Sequence, residues 1–285
     1  MVLPGVSFNE AKASFEKAHF VIVGVPFDRT TAFRSGTRAG PNAVREASYN
    51  FESYLFEHDM NLVDIPIHDA GNIEMCGTVE EMVKATRAEA KSIVSAGKFP
   101  IFIGGEHSIS IPVIEAFDDI GVISIDAHLD FREEYMGNRM SHACVMRRAA
   151  DHLGIENVLP FGVRSISAEE KAQKMPNYID AFQIHEHGIE TSWKRAMNMM
   201  RKEKVYFSLD IDGIDPAYAP GTGTPEPFGL SSYDVKRCIN MLGERMVGFD
   251  VNEISPPYDH GNTAALGARM IQEVICVVWK HNGKK

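Results

Sequence analysis

Short apolar runs rich in β-branched and aromatic residues alternate along the chain with longer stretches whose apolar positions recur at helical spacing. The runs predict strands at 20–25, 62–67, 99–103, 122–125, 158–163, 181–184, 205–209 and 246–251. FPIFI and GVISI are apolar at every position rather than at alternate ones, which suits strands buried on both faces of a parallel sheet. Between the runs, Thr78 with Glu81 and Ser167 with Glu170 have capping-box spacing, and Pro41 stands where a helix can begin without its N–H. This alternation predicts an α/β fold, a three-layer αβα sandwich around a mostly parallel sheet of about eight strands. No Pro/Gly/Ser linker, charge shift or repeat divides the chain, and 213–229 is the one long loop expected, so residues 1–285 read as a single domain.

Composition narrows the class. Hydrophobic residues make up 44% of the 285 positions and charged residues 24%, which supports a packed core and excludes disorder or a coiled coil. The net charge of −10, without a basic stripe, argues against nucleic acid; an acidic field would favour capture of a small cation, although acidity for solubility alone accounts for the charge more simply. The first twenty residues lack a basic start with an apolar stretch behind it, and no run reaches the ~18 apolar residues of a membrane span. Cys76, Cys144, Cys238 and Cys276 are scattered without a C-x-x-C pair, so a cytoplasmic protein with no membrane partner is expected.

In an open α/β sheet, ligands bind beyond the carboxyl ends of the strands, so the first polar residues after each apolar run carry the chemistry. Four ends are rich: Glu106 and His107 after FPIFI; Asp126, His128 and Asp130 after GVISI; Asp210 and Asp212 after VYFSL; Asn252 and Glu253 after MVGFDV. Residues two apart on extended backbone point the same way, so the aspartates and histidines can converge. Like charges a few ångströms apart oppose each other's ionisation, and cations resolve that conflict. Carboxylates with two imidazoles and no thiolate favour Mn, Mg or Fe, and six such side chains suit two ions ~3.5–4 Å apart.

Other features read more plainly. Ser108 lacks a G-x-S-x-G elbow and GTGTP lacks a following G-K-[ST], so neither a serine nucleophile nor a phosphate cradle is expected. His185 and His187 read as exposed at a strand end, Met197, Met199 and Met200 with Trp193 as helix packing, and the cysteines as core. A binuclear metallophosphoesterase also places D-x-H after a strand, but this chain has neither a GNHD nor a late G-H-x-H motif. A catalytically silent metal-binding relative remains as the other alternative.

GGEHS, SIDAHLDFR, SHACVMRR, SLDIDGIDPAYAPGTGTPEP and NEISPPYD resemble, in order, the motifs of the ureohydrolase family of arginases and agmatinases, most closely the agmatinases. The resemblance spans about Gly104 to Asp259, with fainter likeness in GVPFD and SGTRAGPNAVREAS. It implies an arginase-like fold in which His107, Asp126, Asp130 and Asp210 hold one Mn²⁺ and Asp126, His128, Asp210 and Asp212 the other, with Asp126 and Asp210 bridging. It further implies that Glu253 receives the guanidinium group, that His142 assists proton transfer, and that the subunits form trimers or hexamers. The implied reaction is hydrolysis of agmatine to putrescine and urea, a step of polyamine synthesis.

The chemistry is coherent. A guanidinium carbon resists attack by neutral water, two divalent ions can supply a bridging hydroxide at neutral pH, and Asp130 with His142 can carry the proton to the departing amine. The segment FREEYMGNRM before Ser141 differs from the Asn/Thr/Ser-rich loop that resembles an α-amino-acid site, which argues for agmatine over arginine. Glu133, Glu134 or Tyr135 can meet the distal ammonium. N1-aminopropylagmatine satisfies the same logic, whereas guanidinobutyrate would bring a carboxylate to an acidic mouth. Glu106 stands where the family often has Asp, and reads as support for the site or as a helix-start acid.

Overall fold

A computed structural model describes residues 2–3 and 6–282 of the chain. Its strands are β1 (Val2–Leu3), β2 (Phe20–Val25), β3 (Tyr54–Leu55), β4 (Met60–Asn61), β5 (Ile67–Ile73), β6 (Phe99–Gly104), β7 (Gly121–Ile125), β8 (Val158–Val163), β9 (Ile179–Asp180), β10 (Val205–Asp210) and β11 (Met246–Asn252). The helices are α1 (Gly40–Ser48), α2 (Val79–Ser95), α3 (Ser110–Ile114), α4 (Val145–Leu153), α5 (Ala168–Lys171), α6 (Ala181–His187), α7 (Ile189–Met199), α8 (Ser232–Leu242) and α9 (Asn262–Asn282). One sheet runs β1-β5-β2-β6-β11-β10-β7-β8-β9, parallel throughout except for β1, and β3 and β4 form a separate hairpin.

Period-two alternation divides the buried strand residues between two helical layers. Ile22, Ile101, Ile103, Phe207, Leu209 and Val251 belong to the core shared with α1, α7, α8 and α9. Val21, Val23, Phe102, Val122 and Tyr206 belong to the opposite core, shared with α2, α3 and α4. The expected three-layer sandwich is the observed one. Thr78 and Ser167 make both bonds of their capping boxes, and Pro41 sits in the first turn of α1.

Two expected strands are corrected. Leu62–Asp64 is a 3₁₀ turn, and the strand begins later, at Ile67, where IHDAGNI is too polar to read as a strand. Its polarity is internal: Asp69 accepts from buried Arg45 at 2.7 Å (Nε to Oδ2) and 2.8 Å (Nη2 to Oδ1), so the strand carries an ion pair in place of an apolar contact. Residues 181–184 are helical rather than extended, because Asp180 caps the segment by accepting from the Gln183 N–H, leaving a strand of only Ile179–Asp180. His185 and His187 are therefore exposed on α6 rather than at a strand end. Residues 26–36 and 126–141 form further long loops besides 213–229.

The decisive feature of the topology is adjacency. The four polar strand ends belong to β6, β11, β10 and β7, which are consecutive in the sheet. Their ends are level: Ile103 pairs with Val251, Asp210 with Asn252, and Leu209 with Ile125. Glu253 and the segments starting at Gly105, Asp126 and Ile211 thus open onto one edge.

Candidate metal centre and active site

His107, Asp126, His128, Asp130, Asp210 and Asp212 meet at that edge. Nδ1 of His107 lies 3.0 Å from Asp130 Oδ2, 3.1 Å from Asp126 Oδ2 and 3.4 Å from Asp210 Oδ2. Nδ1 of His128 lies 3.1 Å from Asp212 Oδ2 and 3.5 Å from Asp126 Oδ1. Among the described residues two groups can each close on one ion, His107–Asp126–Asp130 and Asp126–His128–Asp212, and Asp126 is common to both. Asp210 falls outside these tight groups: its Oδ1 accepts the Asp212 N–H at 3.0 Å, leaving Oδ2 toward His107.

The surrounding residues fix these side chains. His107 Nε2 is 2.9 Å from Ser208 Oγ, and Ser208 donates to Asp250 Oδ1 at 2.6 Å. Asp250 also accepts from Tyr206 OH at 2.6 Å and Asn252 Nδ2 at 2.7 Å. With its proton spent on Asp250, Ser208 accepts Nε2–H of His107, which leaves Nδ1 for the carboxylate cluster. Thr224 of the GTGTP loop donates to Asp212 Oδ2 at 2.8 Å, so this loop orients a cluster carboxylate as well as forming pocket wall.

Asp130 and Glu253 have left-handed backbones, with φ of 50° and 62°. Each costs about 1–3 kcal/mol for a residue other than glycine, strain that persists where the surroundings demand the geometry. Glu253 is held by its N–H to Gly105 O at 2.8 Å and by His107 N–H donating to its Oε1 at 2.7 Å. Gly105 must be glycine, since a Cβ there would lie 1.9 Å from Phe27 O.

Electrostatics show what the cluster favours. Burial pushes the Asp130 carboxyl up to about 7, aided by the Asp126 charge, and burial with the Asp212 charge raises Asp210 well above its usual range. Burial alone would lower the two imidazoles, but Asp126 with Asp130 raises His107, and Asp212 with Asp126 raises His128. The metal-free cluster thus keeps protons where cations would sit. Asp126 Oδ2 is buried and accepts no hydrogen bond, although His107 Nδ1 is 3.1 Å away. A carboxylate common to two all-oxygen-and-nitrogen groups, with one of its oxygens orphaned, fits a pair of hard divalent ions.

His128, Asp130, Asp210 and Asp212 of the cluster line a cavity of about 250 Å³ together with Arg34, Arg132, Tyr135, His142 and Glu253, while His107 and Asp126 lie buried behind them. His142 is reached by the 26–36 loop: its Nδ1 lies 3.0 Å from Thr30 Oγ1. Burial and the charges of His128 and His107 lower His142 to about 4, below the near-neutral value expected of a shuttle. Glu106 accepts from Thr30 N at 2.6 Å, Thr30 Oγ1 at 2.5 Å and Ser108 Oγ at 2.5 Å. It ties the 26–36 loop to the site and caps no helix N–H.

The mouth differs from expectation. Tyr135 lines the cavity, but Glu133 is engaged by Arg139, Arg147 and Arg148, and exposed Glu134 is outside the lining. Arg132 stacks on Tyr135 at 4.9 Å and Arg34 on Tyr258 at 4.9 Å. Two guanidinium groups therefore join a cavity lining that also holds Asp130, Glu170, Asp210, Asp212 and Glu253, and Arg132 lies 3.7 Å from Glu169. Thr30, Arg34, Ser208 and Asp250 were not legible as site residues, because their roles depend on neighbours that only the fold supplies, whereas Thr224 lies in the GTGTP loop expected to shape the pocket wall.

The sequence profile described as Arginase family matches residues 18–277. The chain belongs to the arginase family. It is 34% identical to the agmatinase of Halalkalibacterium halodurans, over 96% of this chain and 97% of that one. It is 33% identical to the guanidinobutyrase of Pseudomonas aeruginosa, over 98% and 91%. The crystal structure of the agmatine ureohydrolase of Thermoplasma volcanium superposes with a TM-score of 0.95 and 38% identity, covering 99% of this arginase-family chain and 97% of that one. Among the described residues no helix is long and apolar enough to cross a membrane.

Proposed function

We propose that this protein hydrolyses the guanidinium group of agmatine to putrescine and urea with two Mn²⁺ per subunit. In this reading residues 1–285 work as one ureohydrolase domain in a cytoplasmic homo-oligomer, a trimer or hexamer. The observation that carries the reading is the pair of ligand groups sharing Asp126, whose members Asp130, His128 and Asp212 line a cavity together with Glu253. His107, Asp126, Asp130 and Asp210 would hold one ion, and Asp126, His128, Asp210 and Asp212 the other. When bound, such ions supply the acidity that makes a strong nucleophile of water at neutral pH.

The protein's own groups do the rest. Burial and the Glu106 charge raise Glu253 well above the usual carboxylate range, and a planar cation beside it restores the ionised form, so Glu253 binds a guanidinium in preference to a neutral amide. Asp130, beside the attacking position, takes a proton, and His142 carries it to the departing amine. A cavity of about 250 Å³ has room for a small linear chain and, once filled, leaves little bulk water around the reacting carbon.

Arg34 and Arg132 favour a second reading, a substrate whose far end is a carboxylate, such as guanidinobutyrate. Urea release by manganese-loaded protein separates the two. Agmatine, N1-aminopropylagmatine, guanidinobutyrate, arginine and a phosphodiester are compared by kcat/KM, with agmatine expected highest. Guanidinobutyrate in first place would establish the second reading, arginine in first place would defeat the argument from 131–140, and phosphodiester cleavage without urea would refute both.

A further inference from the structure

With Glu106 ionised, the hydrogen bonds of Thr30 favour one direction at His142. Glu106 is fully buried, and its carboxylate accepts from Thr30 N, Thr30 Oγ1 and Ser108 Oγ. Thr30 has a single hydroxyl proton, and donating it to Glu106 leaves its oxygen able only to accept. That oxygen already accepts the His142 backbone N–H at 3.1 Å, and its second lone pair faces His142 Nδ1 at 3.0 Å. Ser141 Oγ, 3.3 Å from the same nitrogen, can share the contact. Two oxygens thus converge on Nδ1, whereas Nε2 has no hydrogen-bond partner among the described residues, and the ring lines the cavity.

We propose that Glu106 and Thr30 are positioning residues that fix the tautomer of His142, keeping its proton on Nδ1 and presenting Nε2 to the cavity as the proton-accepting atom. The proposal rests on the reading of His142 as the proton carrier. In that cycle Nε2 accepts a proton while Nδ1–H stays on Thr30. The same Nε2 returns the proton to the amine nitrogen as its bond to the former guanidino carbon breaks, and His142 ends as it began. Burial keeps the ring neutral, so Nε2 carries no proton at the start of the cycle. The longer acid at position 106 has the reach to hold two atoms of Thr30 at once, which a catalytic loop contributed from 26–36 requires.

The test reads the tautomer directly. Long-range ¹H–¹⁵N NMR of histidine-labelled protein loaded with Mg²⁺, with His142 assigned by its loss in His142→Asn, should show Nδ1 protonated and Nε2 bare. Thr30→Val, which keeps the shape and removes the hydroxyl, should mix the tautomers and lower kcat about tenfold, the worth of one hydrogen bond, with KM and metal content unchanged. Thr30→Ser should restore both readouts, and Glu106→Gln should weaken the preference. A bare Nδ1 in the wild type, or a Thr30→Val protein with wild-type tautomer and kcat, would overturn the proposal. Loss of metal from Thr30→Val with the tautomer unchanged would overturn it too, by making Thr30 merely structural. Because the tautomer is visible whether or not urea is released, failure of the relay and failure of the ureohydrolase reading give different results.

Discussion

Replacing Asp126 with Asn separates a shared ligand from two independent sites. Asn keeps the oxygen that accepts the His128 N–H at 2.6 Å, so the local fold is preserved, but it can put an amide where the orphaned Oδ2 now lies 3.1 Å from His107 Nδ1. Both ligand groups then lose their common carboxylate. An ion present at a hundred times its dissociation constant stabilises the folded state by about 2.7 kcal/mol, so two such ions contribute about 5 kcal/mol. At roughly 2 °C per kcal/mol for a chain of this size, manganese should raise the wild-type melting temperature by about 10 °C. Asp126→Asn should abolish nearly all of that rise. His128→Asn, which touches only one group, should keep about half. Thermal melts in a manganese titration, with metal content after desalting, measure both quantities. An Asp126→Asn protein that binds two ions and gains the wild-type increment would refute the shared-ligand geometry.

Three further outcomes follow from the same site. In the metal-free protein Asp130 titrates near 7 rather than at its usual 3.8, so the folded state keeps a proton that the unfolded chain has released. Metal-free stability should therefore fall between about pH 4 and 7, while manganese affinity climbs at least about tenfold per pH unit below 7 and goes on climbing above it as the raised His107 and His128 give up their protons, as chemical denaturation and calorimetry at several pH values can check. Glu253→Gln can still accept the His107 N–H, so metal content should be unchanged while KM for the guanidino substrate rises about tenfold or more; equal loss of metal would remove its substrate role. Ser208→Ala leaves Nε2 of the fully buried His107 without a partner and should weaken metal binding by roughly 10–100-fold, with an unchanged dissociation constant counting against the Asp250–Ser208–His107 chain.

The order of strands and helices was largely legible because uninterrupted apolar runs such as 99–103 and 205–209 have few alternatives to a doubly covered parallel strand. Reading failed where local chemistry outweighed hydropathy: in β5, whose polar residues are satisfied by Arg45, and at 181–184, where the Asp180 cap decides for helix. The six ligand-type residues stood out as D-x-H-x-D, D-x-D and a lone histidine after apolar runs. Their accessory groups did not, because Thr30, Ser208 and Asp250 are ordinary residues whose role depends on what lies beside them.

By itself the sequence determined which side chains stand at the end of each strand, and so the chemistry available: four carboxylates and two imidazoles, with a glutamate after the last strand. Only the tertiary structure decided that those four strands are neighbours with level ends, since strand order depends on crossover connections that leave no local mark in the chain. The same folding put Arg34, nearly a hundred residues upstream, into one cavity with Arg132, and it spent Glu133 on three arginines of its own neighbourhood. Charge type is written residue by residue, whereas the field at a site is a sum over distances that exist only once the chain has folded.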